Sequence, residues 1–409
     1  MKNFGKIQAL IPRTLCHIEN PIELDVNYEG FSPVEISWQN GLVSDIKSIN
    51  SETSPSQIIF PRFVESHSHI DKSFSWKNFP NKASNYYGAL KSNLEEHKTR
   101  SVDNVKLRAE ESIKLAIKNG YRAVRTHIDT YDSQDERIWA ELFNLQKKYS
   151  TLLKIQFVAL APLEFWGTDK GEILAKKFRL NNGVIGSVVV PPFNANKLLQ
   201  SLTKILALAS RYNLEIDLHI DESISTKDVG LRVLLKTINK FDYKVPITCS
   251  HLSNILLLRE RELDKLCISL AEKNIKVVAL PLTNFWLLNR SDKTNKMRPV
   301  APIKQLQKSF VDVSIGSDNV QDPWYPFGEF DPFYLMSYSM HLLQLNPWDR
   351  LTLSAIISAP SRLLNLEWDG TISVGCPADF VVAKGDSWAD LFSNNLQRSV
   401  LINGKWYVE

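Results

Sequence analysis

Short apolar runs, many of them β-branched, recur along most of the chain with longer amphipathic stretches between them. Eight stand out: IIFPRFVE, RAVRTHID, IQFVALAP, GVIGSVVVP, LEIDLHIDE, KVPITCSHL, IKVVALPLTN and VDVSIGSDN. The intervening stretches, such as VDNVKLRAEESIKLAIKNG and ANKLLQSLTKILALASRYN, carry apolar residues at helical spacing. Near-continuous apolar strands alternating with amphipathic helices predict a parallel sheet covered on both faces. Eight strand–helix units over about 300 residues predict an α/β fold of the (β/α)8 barrel type, whose chemistry gathers at the C-terminal strand ends. A doubly wound sheet is the competitor, but no GxGxxG follows the first strand.

The flanks follow a different rhythm. Residues 1–58 hold shorter strand-like pieces (KIQALIPRTL, PVEISWQNG, LVSDIKSI), and residues 366–409 hold ADFVVAKG and QRSVLINGKWYVE around glycine turns. These predict a small β-sandwich domain formed by both chain ends, flanking a barrel of residues 59–365.

Composition narrows the partners. At 409 residues, with 44% hydrophobic and 23% charged positions, the chain can bury a large core. The net charge of +4 comes from scattered lysines and arginines, so no basic face for nucleic acid is expected. No apolar segment approaches the roughly 20 residues of a membrane span. The four cysteines (Cys16, Cys249, Cys267, Cys376) form no CxxC pair, and no secretory leader is visible. A reducing, cytoplasmic setting is the expectation. The sequence is compatible with a homo-oligomer but does not fix the copy number.

The candidate chemistry starts at FVESHSHIDKS. The chain has eight histidines, and two of them, His67 and His69, stand one residue apart at the end of the first predicted strand. Alternation along a strand points both to the same face, toward the barrel mouth. An HxH pair alone reads more readily as two satisfied polar residues near a surface than as a metal site. The fifth predicted strand, however, ends in DLHIDE, placing His219 at comparable depth, and the eighth ends in GSDN, placing Asp318 there. Three imidazoles and one carboxylate can converge across the mouth and leave a position for water. That donor set suits one divalent ion per subunit, zinc or iron.

With these residues in place, the chain resembles the amidohydrolase superfamily, specifically its cytosine deaminase-like branch. The likeness runs through FVESHSHID, VRTHID, HIDE, SHL and SDNVQDPWYPFG in family order. HSHIDKSF with SDN…PFG is also similar to the N-isopropylammelide aminohydrolase branch, which acts on a substituted triazine. The resemblance implies a (β/α)8 barrel with a flanking β-sandwich. It implies His67, His69, His219 and Asp318 as metal ligands, Glu222 as the acid that shuttles a proton to a ring nitrogen, and His251 beside the attacking hydroxide. A bound ion would bring the pKa of a water toward about 7, and Asp318 would accept the water's proton. The carboxylated lysine of binuclear members has no counterpart in VVVPPF, which favours one metal.

Some positions depart from the pattern. Cytosine deaminases place a glutamine just after the third strand to read the pyrimidine; the aligned position here is Leu163, which has no polar group to offer. The second aspartate of the strand-eight pair is Asn319, as in the triazine enzyme, whereas Glu222 is the deaminase feature. Leu163, Asn319, Trp324 and Lys72 are the expected substrate-binding residues, with Lys72 equally readable as an exposed loop charge. His127, ending the second strand, reads as a site residue or as a structural histidine; His17, His97 and His341 lie outside. Trp76, Phe165, Trp166, Phe193, Phe285, Trp286 and Trp324 crowd the predicted strand ends, consistent with a flat or alkyl-bearing ring.

Together these predict a metal-dependent aminohydrolase removing an exocyclic amino or alkylamino group from a nitrogen heterocycle, pyrimidine- or triazine-like, with cytosine itself disfavoured. A cyclic-amide hydrolase on the same scaffold is the alternative, and Glu222 weighs against it. A non-catalytic relic of the fold would not need all four ligands with Glu222 and His251. Deaminases of the HxE…PCxxC type are excluded, since no such cysteine pair exists.

Overall fold

Four strands come first: β1 (Phe4–Pro12), β2 (Phe31–Gln39), β3 (Leu42–Ser48) and β4 (Gln57–Pro61). Asn40 and Gly41 both take positive φ, 56° and 80°, which is what a two-residue hairpin between β2 and β3 demands. The computed structural model describes residues 4–17, 25–49, 55–130, 135–227, 229–241, 243–291, 293–294, 296–393 and 395–408.

Eight parallel strands then form the barrel in sequence order: β5 (Phe63–Ser68), β6 (Tyr121–Asp129), β7 (Lys154–Leu160), β8 (Val184–Val189), β9 (Glu215–Ile220), β10 (Ile247–His251), β11 (Lys276–Ala279) and β12 (Val313–Ile315). The predicted (β/α)8 barrel is therefore present. It closes where Ser68 bridges Asp318, with the Asp318 amide donating to the His67 carbonyl at 2.8 Å. The closing contact thus ties the last strand end to the first at the candidate metal ligands.

The helices cover the barrel for local reasons. Val102–Asn119 starts at Ser101, whose hydroxyl accepts from the Asn104 amide, and stops at Gly120, which takes φ 98°. Its buried positions Val105, Ala109, Ile113, Ala116 and Ile117 recur every three or four residues and face the strands.

The last strands, β13 (Phe380–Lys384), β14 (Arg398–Ile402) and β15 (Lys405–Trp406), return to the first four. Together they make one seven-stranded sheet, ordered β15-β14-β13-β4-β1-β2-β3. Alternation splits its faces between two cores. Leu10, Ile58, Phe60 and Val381 join the barrel core, while Ala9, Ile11, Ile59, Phe380 and Val382 form a second core on the far side.

The run IIFPRFVE, one predicted strand, in fact feeds both sheets. IIFP lies in β4 and continues the flanking sheet past residue 58, whereas FVE opens β5. Buried Arg62 sits at the changeover, donating to Asp379 Oδ1 (3.2 Å), the Leu152 carbonyl (2.8 Å) and the Tyr121 carbonyl. All four cysteines are buried free thiols. Among the described residues no helix is long and apolar enough to cross a membrane.

Candidate active site

His67 lies in β5 and His69 one step beyond its end; His219 lies in β9 and Asp318 follows β12. All four are buried and converge. The Nε2 atoms of His67, His69 and His219 stand 3.4, 3.2 and 3.3 Å apart, and Asp318 Oδ1 lies 3.2 Å from His69 Nε2 and 3.5 Å from His67 Nε2.

The protonation pattern suits a cation. Ser250 donates its hydroxyl proton to Asp217 Oδ1 at 2.9 Å, so its oxygen accepts from His67 Nδ1 at 3.0 Å. His67 Nε2 is then an unprotonated lone pair facing the cluster. Burial first, then the neighbouring imidazoles, pushes His67 and His219 well below the usual histidine range, which keeps them neutral. Burial works to raise the Asp318 carboxyl, but His69 and His251 outweigh it and hold it ionised. Its two oxygens have no hydrogen-bond partner among the described residues. Tetrahedral bonds of about 2.0–2.1 Å put ligand atoms about 3.3–3.4 Å apart, matching the observed Nε2 spacing. The residues present fit a divalent ion.

Glu222 stands three residues beyond His219. Between them Asp221 takes a positive φ of 61° and turns its carboxylate onto the amides of Gly230 and Leu231, capping the helix Gly230–Phe241. That turn aims Glu222 into the cavity. Burial, then the nearby Asp318 charge, pushes its carboxyl well above the usual range, which favours the protonated acid. His251 ends β10 with a positive φ of 75°, and its Nδ1 lies 3.5 Å from Glu222 Oε1. Burial brings its pKa down to about 4 against the pull of Asp318.

His69, His219, Glu222, His251 and Asp318 line a cavity of about 950 Å³ at the C-terminal strand ends. Asn319 and Trp324 line it too; Asn319 donates to Asp322 Oδ2 at 2.7 Å, and the Trp324 ring packs edge-on to Tyr86 at 5.2 Å.

Lys72 also lines the cavity but is neither exposed nor free. Its Nζ lies 2.7 Å from Asp129 Oδ2, and although burial disfavours its charge, Asp129 and Asp71 hold it protonated. Behind it, Arg100 bridges Asp71 (2.9 Å), Glu96 (2.6 Å) and Asp129 (3.6 Å). Arg100→Met leaves these buried carboxylates underpaired and is expected to cost about 3–5 kcal/mol in urea unfolding. A loss below about 1 kcal/mol would mean that Lys72 on Asp129 and Arg108, which also pairs with Glu96, satisfy them alone.

Leu163 requires a correction. Pro162 ends the extended chain and Leu163–Gly167 turns away as a 3-10 helix, which buries Leu163 in the apolar core. The cavity wall at this strand end is Leu160, Ala161 and Pro162 instead, still without an amide. Leu163→Gln is therefore expected to cost about 1–3 kcal/mol by burying an unpartnered amide, with substrate preference unchanged. Thermal unfolding and the ratio of specificity constants for two ring substrates check this; a changed ratio would return Leu163 to the site.

The aromatic residues divide as well. Of the seven expected at the mouth only Trp324 lines the cavity; Trp166 is buried in the core, and Phe285 and Trp286 line a separate groove with Tyr325 and Phe327. Tyr86 and Tyr87, from the helix Tyr86–Thr99, supply the other rings.

His127 is structural in position. It stacks on His67 with ring centroids 3.8 Å apart, and its Nε2 lies 3.4 Å from Asp217 Oδ1 across the barrel. Asp217 also receives Arg125 Nη1 at 3.0 Å. This polar floor of Arg125, Asp217 and Ser250 was not singled out from the sequence. Alternation carries the missed signal: Arg125 and Asp217 each stand two residues before a strand-end histidine, on the same face. Asn284, which donates to Glu222 Oε1 at 3.2 Å and lies 2.9 Å from His251 Nδ1, was missed too.

A parallel barrel whose C-terminal mouth gathers a His3Asp cluster able to hold a metal ion has the layout of a barrel enzyme. Residues 114–398 match the amidohydrolase family, well over half the chain, and the chain belongs to that family of carbon–nitrogen bond hydrolases. Among its relatives is a pterin deaminase of Rhizobium rhizogenes, 28% identical over 394 residues, covering 92% of this chain and 88% of the relative. An N-isopropylammelide isopropyl amidohydrolase of Pseudomonas sp. is 26% identical, covering 95% and 91%. The crystal structure of 5-methylcytosine deaminase from Klebsiella pneumoniae superimposes with a TM-score of 0.82 at 20% identity, covering 99% of this chain and 97% of that one.

Proposed function

We propose that the protein is an aminohydrolase that releases an exocyclic amino or alkylamino group from a nitrogen heterocycle, using one divalent ion, zinc or iron. The observation that carries this reading is Glu222: a buried carboxyl whose surroundings favour its protonated form, in the wall of the cavity that also presents His69, His219 and Asp318. Hydrolysis of a cyclic amide also needs a proton on the ring nitrogen, but only as that nitrogen departs; an amidine-like carbon needs it before the attack, which calls for an acid that already carries its proton. The pterin- and triazine-directed names of the relatives support the same class.

His67, His69, His219 and Asp318 would hold the ion. When bound, it supplies a water of pKa near about 7 and so a nucleophile at neutral pH. Glu222 delivers its proton to the ring nitrogen adjoining the attacked carbon, which prepares that carbon for addition. Asp318, held ionised, is the base within reach of the nucleophile's proton. The proton taken up by Asp318 then passes to the departing nitrogen, so that ammonia or an alkylamine leaves rather than its anion; the ring nitrogen keeps the proton it received, and the proton of the added hydroxyl returns to Glu222 as the carbonyl forms. Asn319, Trp324 and the Lys72–Asp129 pair line the cavity where the ring would bind. The cavity exceeds what a single pyrimidine fills, and pterins are the first class to test.

The test is an ammonia- and amine-release screen over pterins, aminotriazines, alkylaminotriazines and aminopyrimidines with metal-replete protein. Release from at least one ring class is expected. Ring opening without amine release would overturn the reading in favour of cyclic-amide hydrolysis.

A further inference from the structure

We propose that Asn284 is a positioning residue that fixes the tautomer of His251 and holds Glu222 through the same amide. The inference rests on the role given to Glu222 above.

Asn284 is fully buried in the helix Pro281–Leu287, just after β11. An amide offers two N–H donors on nitrogen and two lone pairs on oxygen. Ser253 donates its hydroxyl to Asn284 Oδ1 at 2.9 Å, which turns the oxygen toward Ser253 and the nitrogen toward the site. There Nδ2 has two neighbours, Glu222 Oε1 at 3.2 Å and His251 Nδ1 at 2.9 Å, and each can take one hydrogen. With the amide reversed, its oxygen would face the Glu222 carboxylate as soon as that group gave up its proton. Two buried acceptors would then oppose each other, at a cost of about 1–3 kcal/mol for the unmade bond.

The consequence falls on His251. If Nδ1 accepts from the amide, the ring's single proton sits on Nε2. Nε2 is buried without a partner among the described residues, and its ring stands 5.0 Å from that of His219. His251 therefore presents a hydrogen-bond donor, not a lone pair, to whatever occupies the mouth of the site. The amide also fills the His251 lone pair that lies 3.5 Å from Glu222 Oε1.

The backbone is shaped to keep this arrangement. His251 and Leu252 take positive φ angles of 75° and 48°, and non-glycine residues in such conformations store about 1–3 kcal/mol each. The turn is held to the end of β9 by the Leu252 amide on the Ile220 carbonyl (2.9 Å) and the Ser253 amide on the Asp221 carbonyl (3.1 Å). One turn thus sets the His251 ring and brings Ser253 against Asn284.

Asn284→Asp separates this from a packing role, because the carboxylate is isosteric but can only accept. The probe is the ring ¹⁵N spectrum of histidine-labelled protein; eight histidines keep it tractable, and loss of one signal in His251→Gln identifies His251. In the wild type the proton is expected on Nε2, and in Asn284→Asp on Nδ1. Metal content should stay at the wild-type level, with kcat down about 10²-fold or more and KM within a few-fold. Ser253→Ala, which frees the amide to rotate, should shift the same two readouts in the same direction and by less, and it serves if the aspartate variant does not fold. A wild-type His251 protonated on Nδ1, or wild-type kcat in both variants, overturns the inference. If Glu222→Gln keeps full turnover, the functional reading fails whatever Asn284 does. If only the Asn284 and Ser253 results disagree, this inference alone falls.

Discussion

Asp318→Ala and His67→Ala should each bring bound metal well below one ion per chain and abolish turnover. The expectation follows from the donor count: among the described residues His67, His69, His219 and Asp318 make the one four-donor group, so removing one leaves three. Asp318 also closes the barrel through its amide on the His67 carbonyl, but that is a backbone bond, which alanine keeps. The fold should therefore survive the substitution even though the ion does not. Thermal unfolding provides a readout independent of activity. An ion present at 100 times its dissociation constant stabilises the native state by about 2.7 kcal/mol. Chelated wild-type protein should thus gain stability when zinc or ferrous ion is restored, and Asp318→Ala should not. Full occupancy in both variants would remove the site from consideration, and elemental analysis of the wild type would identify the ion.

The sequence made the barrel legible because parallel strands buried on both faces read as unbroken apolar runs. It made the ligands legible because strand alternation places His67 and His69 on one face and strand ends collect at one mouth. What it could not show depends on turns and on contacts distant along the chain. Leu163 aligned with a substrate-reading position, yet the 3-10 turn beginning at Pro162 carries its side chain into the core. Lys72 could be read either way because its partner, Asp129, lies at the end of another strand, 57 residues on. The run IIFPRFVE gave no sign that Arg62 divides it between two sheets. Asn284 lies in a short helix whose PLTNFW sequence carries no signature of chemistry. Its relation to Glu222 and His251 exists only once three strand ends are side by side.

Glu222→Gln should retain the metal and lose about 10²–10⁴-fold in kcat, the usual contribution of a positioned acid–base group. Glutamine keeps the volume of the side chain and can still meet the Asn284 amide through its own oxygen, so the pocket should hold its shape. It carries no transferable proton. In the wild type that proton is favoured by burial, reinforced by the charge of Asp318 and only partly opposed by Asn284. A group that held its proton merely as a structural hydrogen-bond donor would be replaced by the amide with little loss, whereas a proton carrier would not. Substrate binding depends on the cavity walls, so KM should move by only a few-fold and the loss should fall on kcat. The measurement is steady-state kinetics on whichever ring the release screen identifies, with metal content determined on the same samples. Wild-type turnover in this variant would mean that the ring needs no proton from Glu222, and attack on a carbonyl carbon would become the better account of the site.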